Sequence, residues 1–232
     1  MYYFCPINNN IIMLNKLAIF ITLLMPIAAT ACSGKTDKAQ PAVTIHTTDS
    51  TPTPAQAAPQ LPPLPDKPSG TAFIVISKLD QLLSVYDRNA AGDTILVAQY
   101  PCCMGKNKGN KQRRGDMRTP ESPAGKPFKI TMIQDASTWK HDFKDGRGEI
   151  KAYGHWFLRL ETPGHRGIGI HGSTNNENTV PGRASEGCIR LLDKDIITLK
   201  EHFAYVGMPV IVQPEGQAPL SWEPRARKAS VK

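Results

Sequence analysis

A succession of short apolar, β-branched runs, each closed by glycine, proline or a polar loop, most constrains what this chain can fold into. Residues 73–77, 82–86, 95–100, 128–133, 155–160, 168–171 and 208–212 are too short for helices and rich in Val, Ile, Phe and Tyr, so they predict strands. Asn89-Ala-Ala-Gly92-Asp93 lies between the second and third runs and signals a hairpin turn. Pro101 should end the third strand, because it has no N–H for a ladder. Apolar residues recur at helical spacing only over 193–203 (Ile196, Ile197, Leu199, Phe203), with Asp193 or Asp195 placed to cap the start. The expectation is a mostly β fold, sandwich- or barrel-like, with one helix. It forms a single domain over residues 71–213, a length that can bury a sizeable core.

Between the strands, residues 104–127 form a long, glycine-rich, basic loop, of the kind that in a small domain is either functional or disordered. The five cysteines, at positions 5, 32, 102, 103 and 188, make neither a CxxC pair nor a regular framework. Cys102 and Cys103 are adjacent and should fall on opposite faces of a strand, at least one of them buried as a small hydrophobe. Cys188 is the remaining thiol, with His171 near it in sequence. No metal or organic cofactor is suggested.

The front of the chain reads differently. Lys16, the apolar run 17–27 and Ala28-Ala-Thr-Ala31 before Cys32 have the layout of a secretory signal. The apolar run is too short for a permanent span, which needs about 20 residues. Translation is expected to start at Met13 and the signal to cover residues 1–31. Ala29-Thr30-Ala31-Cys32 resembles the lipobox of bacterial lipoproteins, with Ala29 where a large aliphatic residue is usual. The resemblance implies a lipid on Cys32, a membrane partner through that anchor, and a place in the cell envelope facing the periplasm or outer wall. Residues 32–70 carry Pro52-Thr-Pro54 and Pro62-Pro-Leu-Pro65 and few large hydrophobes, so they read as an extended tether. Residues 214–232 form a basic tail. The net charge of +8 is gathered at 106–118 and 225–232 without interleaved aromatics. That pattern fits a solvated surface better than a nucleic-acid interface.

The chemistry concentrates in Ile168-Gly-Ile-His171-Gly172-Ser173 and Arg183-Ala-Ser185-Glu186-Gly187-Cys188-Ile189-Arg190. A cysteine attacks a carbonyl as thiolate and needs a base, which His171 can be. The N–H groups of Gly187 and Cys188 can form an oxyanion cradle. The Gly172 carbonyl can orient the imidazole, so no carboxylate is needed for that role. Ser185 can hydrogen-bond within the cysteine loop or serve only as a turn residue. A histidine and a cysteine this close in sequence are usually accidental neighbours; the whole pattern carries the inference.

That pattern resembles the L,D-transpeptidase catalytic domain, also called YkuD: His171-Gly172, a polar loop, Ser185-x-Gly187-Cys188-Ile189-Arg190, then Asp195 at a helix start. Upstream, Gly115-Asp116-Met-Arg118-Thr119-Pro120-Glu121 looks like a second family element, with Ser122 where glycine is usual. Gln81 to Tyr86 looks like the family's first strand pair. The resemblance covers about residues 71–213. It implies the L,D-transpeptidase catalytic fold and a thioester between Cys188 and a peptidoglycan tetrapeptide stem, with release of D-Ala. An amine of another stem, an envelope protein or a D-amino acid would then capture the acyl group. Arg190 would hold a stem carboxylate or brace the cysteine loop. Glu186 stands where many members have histidine, which touches acceptor preference more than reaction class. Hydrolysis of the same thioester, by a carboxypeptidase or endopeptidase, and a non-catalytic wall-binding lipoprotein are the competing readings.

Overall fold

In the computed structural model, residues 60–218 and 220 are described. The expected signal, its expected start at Met13, the expected lipidation site Cys32 and most of the expected tether and tail lie outside them. Within them the chain forms β1 (Phe73–Ser77), β2 (Leu82–Arg88), β3 (Thr94–Pro101), β4 (Cys103–Gly105), β5 (Phe128–Asp135), β6 (Lys140–Asp142) and β7 (Glu149–Lys151). Then come β8 (Trp156–Leu160), β9 (Gly169–His171), a 3-10 turn (Glu177–Thr179), β10 (Gly182–Ser185), β11 (Ile189–Arg190), α1 (Asp193–His202) and β12 (Pro209–Val212). Among the described residues the fold is mostly β with a single helix, following the cysteine, as expected.

Ten strands hydrogen-bond in the order β10-β4-β11-β9-β8-β5-β12-β1-β2-β3, and β6 and β7 pair separately. β1, β2 and β3 form an antiparallel meander. Its second turn is organised by the Asn89 side chain, whose Oδ1 accepts from the N–H groups of Ala91 and Asp93. The last strand, β12, runs parallel to β1 and antiparallel to β5, so the chain's end joins the meander to the remaining strands. β5 shows why these runs fold as strands. Phe128 and Ile130 are buried while Lys129 and Thr131 are exposed, the period-two pattern of a sheet with one covered face. Ile74, Ile76, Leu83, Val85, Phe128, Ile130, Leu158, Ile170, Ile189, Val210 and Val212 meet in one core, which α1 joins through Ile196 and Leu199.

Where the structure departs from the expected elements, short strands were hidden in polar sequence. β4 lies in the stretch expected to begin the long loop, β6 and β7 in the polar stretch between the runs 128–133 and 155–160, and β10 and β11 on either side of the cysteine turn. Strands of two to four residues are too short to show periodicity, and partners distant in sequence define them. Pro101 does end β3, and the Cys102 N–H then bonds Gln81 O at 2.8 Å before the chain enters β4. Cys102 and Cys103 are both fully buried free thiols. The helix N-cap is Leu192, without a side-chain cap bond, so neither Asp193 nor Asp195 caps α1. At the front, the Pro65 carbonyl lies 2.6 Å from His202 Nδ1, which places the last part of the expected tether against the end of α1.

The long basic loop is an ordered wall. Lys78, 2% exposed, reaches from the β1–β2 turn to Thr119 O at 2.6 Å, Gly109 O at 3.0 Å and Glu121 Oε1 at 2.9 Å. Glu215 accepts from Arg183 Nη2 at 2.5 Å and from the Gly109 N–H at 3.2 Å. Buried charges of this kind persist only when paired, and here the pairing fastens the loop to the β1–β2 turn and to Glu215 beyond β12, which also holds Arg183 of β10.

Candidate active site

The site begins with strand register. β11 runs parallel to β9, pairing Ile189 with Ile170 and Arg190 with His171. Side chains alternate across a strand, so the two isoleucines enter the core while His171, Arg190 and Cys188 share the other face. A histidine and a cysteine separated in sequence by a polar loop are brought together by two parallel strands lying side by side.

His171 is 3% exposed, and its Nδ1 lies 2.6 Å from the Gly172 carbonyl. A carbonyl only accepts, so Nδ1 carries the proton and Nε2 keeps the lone pair. The ring stacks on Phe157 at 5.6 Å and meets Tyr153 at 4.9 Å. Burial, with Arg190 and His141 adding positive charge, pushes its pKa down to about 3 against the pull of the Gly172 carbonyl. The imidazole is neutral across the physiological range, so an imidazolium waiting beside a preformed thiolate is not the resting state. The strand's exit is tied by Asp193, which accepts from the Ser173 N–H at 2.7 Å and from the Thr174 hydroxyl. The carboxylate expected to cap the helix instead holds the histidine loop.

In the cysteine loop, Ser185 Oγ donates to the Cys188 carbonyl at 2.6 Å and accepts from the Gly187 N–H at 3.1 Å. The Gly187 N–H is therefore committed within the loop and is not a free oxyanion donor, contrary to the expectation from sequence. Gly187 has φ +138°, and a Cβ there would lie 2.8 Å from Arg118 O, so both conformation and space demand glycine. Cys188, partly exposed, points its thiol at Gly167 O, 3.3 Å away. Burial pushes the thiol pKa up, while the Gly169 N–H and the charges of Arg190 and Lys111 pull it back and Glu186 opposes them. The resting pair is a thiol beside a neutral imidazole.

Both residues line a cleft of about 810 Å³. Trp139, Phe143, Tyr153 and Phe157 make an aromatic wall, and Lys111, Arg114, Arg159, Arg166 and Arg190 bring positive charge. Glu186 is the one carboxylate among the lining residues, and its Oε2 lies 3.4 Å from His141 Nε2. Arg190 is 3% exposed and stacks over Phe143 at 5.0 Å, and its Nε has no hydrogen-bond partner. No carboxylate among the described residues forms an ion pair with it. No cluster of His, Cys, Asp and Glu among the described residues is arranged to hold a metal ion.

Of the site residues expected from sequence, His171, Ser185, Cys188 and Arg190 line this cleft, and Gly172 and Gly187 are the chain neighbours of His171 and Cys188. Lys111, Trp139, His141, Phe143 and Tyr153 also line it and were not expected there. For all but Lys111 the available signal was the density of aromatic and histidine residues over 139–153, ahead of the strand expected at 155–160.

Residues 71–212 match the family model of the L,D-transpeptidase catalytic domain. Among solved structures the chain is similar to Bd1075 of Bdellovibrio bacteriovorus, with 20% identity over 66% of this chain and 53% of that one and a TM-score of 0.43. It is also similar to the helical cell shape determining protein Pgp2 of Campylobacter jejuni, with 20% identity, coverage of 63% and 49%, and a TM-score of 0.43. An L,D-transpeptidase of Xylanimonas cellulosilytica shows 19% identity, coverage of 65% and 64%, and a TM-score of 0.39. The chain spans about half the length of the first two. No curated protein matches it.

Proposed function

Since the chain belongs to the L,D-transpeptidase catalytic domain family, we propose that it is a cysteine acyltransferase acting on peptidoglycan stem peptides. Cys188 attacks the carbonyl between the third-position diaminoacid and D-Ala of a tetrapeptide stem. Its proton passes to His171 Nε2 as the C–S bond forms, and the Cys188 N–H meets the developing oxyanion. His171 then delivers that proton to the departing D-Ala nitrogen as the C–N bond breaks, leaving a thioester. An amine of a second stem, or of an envelope protein, attacks the thioester; His171 takes the amine's proton and returns it to sulfur.

The observation that carries this reading is the state of His171. Its Nδ1 is held by Gly172 O, its ring is locked by Phe157, and its remaining nitrogen is a neutral base in the cleft that holds Cys188. Arg190, buried and without an anionic partner among the described residues, suits a stem carboxylate, because a guanidinium fork binds such a group bidentately. The surrounding positive charge suits a donor that carries several carboxylates. Lipidation of Cys32 and the extended segment after it would hold this site away from a membrane surface within the envelope.

Incubation with purified tetrapeptide muropeptides, followed by mass spectrometry, tests the proposal. New 3→3 dimers are the expected product. Tripeptides alone would make the enzyme a carboxypeptidase, with water in place of the amine. Unchanged muropeptides with folded protein would refute an enzymatic role on this substrate.

A further inference from the structure

Lys111 belongs to a loop so rich in lysine, asparagine and glycine that its default place is in solvent, yet it is 7% exposed. A buried ammonium must be compensated. Its Nζ donates to Asp116 Oδ1 at 2.8 Å and approaches Arg118 O at 3.5 Å. Asp116 in turn accepts from the N–H groups of Gln112 at 2.7 Å, Arg113 at 3.1 Å and Arg118 at 3.1 Å. Against the burial that would raise it, Lys111 and these three N–H groups hold the Asp116 carboxyl well below the usual carboxylate range. Four donors converge on one side chain, and together they fix where the lysine points.

It points at the nucleophile's own turn. A Cβ built on Gly187 would sit 3.4 Å from Lys111 Nζ and 2.8 Å from Arg118 O, so the residue preceding Cys188 packs directly on the end of this lysine and on its carbonyl partner. Lys111 also lines the cleft beside Cys188. The Gly-Asp-Met-Arg-Thr-Pro stretch, which the proposed reaction leaves without a role, is thus the mount for a charge beneath the cysteine loop.

We propose that Lys111, held by Asp116, is a positioning residue for the nucleophile: its ammonium, packed under the Gly187–Cys188 turn, supplies the fixed positive charge against which the Cys188 thiolate forms. The charges that act on the thiol are Arg190 and Lys111 on the positive side and Glu186 on the negative side; Arg114, Arg159, Arg166, His141, His165, His171 and Tyr153 share the cleft with it. Arg190 is free to pair with an incoming carboxylate, and its charge is then spent on the substrate. Lys111 is buried against its own partner, Asp116, which fixes its ammonium in place. The charge of Lys111 favours the ionised sulfur against the burial that disfavours it.

This inference rests on Cys188 being the nucleophile, and its test uses no stem peptide, so it can fail or succeed apart from the reaction. The rate of iodoacetamide alkylation of the full-length protein is measured against pH, with the Cys188 peptide followed by mass spectrometry. Lys111→Gln is neutral but still able to donate to Asp116. It is expected to move the alkylation midpoint upward by about one pH unit, whereas Lys111→Arg leaves it near the wild-type value. An unchanged midpoint in Lys111→Gln, with the wild-type melting temperature, would make the lysine a structural strut and overturn the proposal. If that variant does not fold, Lys111→Met combined with Asp116→Asn removes both charges while keeping an acceptor for the loop N–H groups. It must show the same upward movement, and an unmoved midpoint there overturns the proposal equally.

Discussion

The state of a single residue, His171, decides how this site can work. With its pKa pushed down to about 3 and Nδ1 donating to Gly172 O, it is a neutral base rather than half of an ion pair. Two outcomes follow. First, kcat/KM should stay level from about pH 5 to about pH 7 with no inflection in the usual histidine range; a bell with an acid limb near neutrality would contradict the assignment. Second, the unfolded chain takes up a proton on this histidine below about 6.5, while the folded protein refuses it until about 3. The stability contributed by this group is present above that window and lost as pH falls through it, which urea denaturation at pH 7 and pH 4.5 will register. At the nucleophile, Cys188→Ala should abolish turnover and leave the melting temperature within about 2 °C, because it removes one partly exposed sulfur. Residual turnover above background would move the nucleophile elsewhere.

At the scale of elements, the site depends on the loop leaving β9 and the turn entering its parallel neighbour β11, each tied by one polar side chain. Ser185 closes the cysteine turn through its bonds to Cys188 O and the Gly187 N–H. Asp193 closes the histidine loop from the first turn of α1. Asp193→Ala should cost about 2 kcal/mol, since hydrogen bonds to a charged acceptor are worth more than neutral ones. It should also lower kcat by about tenfold through misplacement of His171. Chemical denaturation and steady-state kinetics on the same preparation check both. A loss of stability with unchanged kcat would confine Asp193 to folding.

At the scale of the whole molecule, the cleft is lined by more positive than negative side chains. Five of the residues lining the cleft are Lys or Arg and one is Glu, against a net charge of +8 for the full chain. Attraction between this cleft and an anionic stem should be screened by salt, because the Debye length shrinks from about 10 Å at 0.1 M to about 3 Å at 1 M. KM for a tetrapeptide donor should therefore rise severalfold over that range while kcat changes little. A KM that is flat in salt would remove charge from donor recognition.

Sequence alone determined what local chemistry dictates. Alternating β-branched runs required strands, the spacing of Ile196, Leu199 and Phe203 required a helix, and Ser-x-Gly-Cys after His-Gly marked the residues proposed to react. Each of those signals lies within about twenty neighbouring positions. Tertiary structure decided what depends on distant partners. β4, β10 and β11 are strands only because other strands present their edges to them. Burial together with Arg190 sets the protonation of His171. The Gly187 N–H belongs to Ser185 rather than to an oxyanion. Asp193 serves the histidine loop instead of the helix, and Lys111, unremarkable in sequence, is carried by a folded loop to the floor of the cysteine turn. Hydrogen bonding and electrostatics act through space, so these assignments follow from the fold and not from chain order.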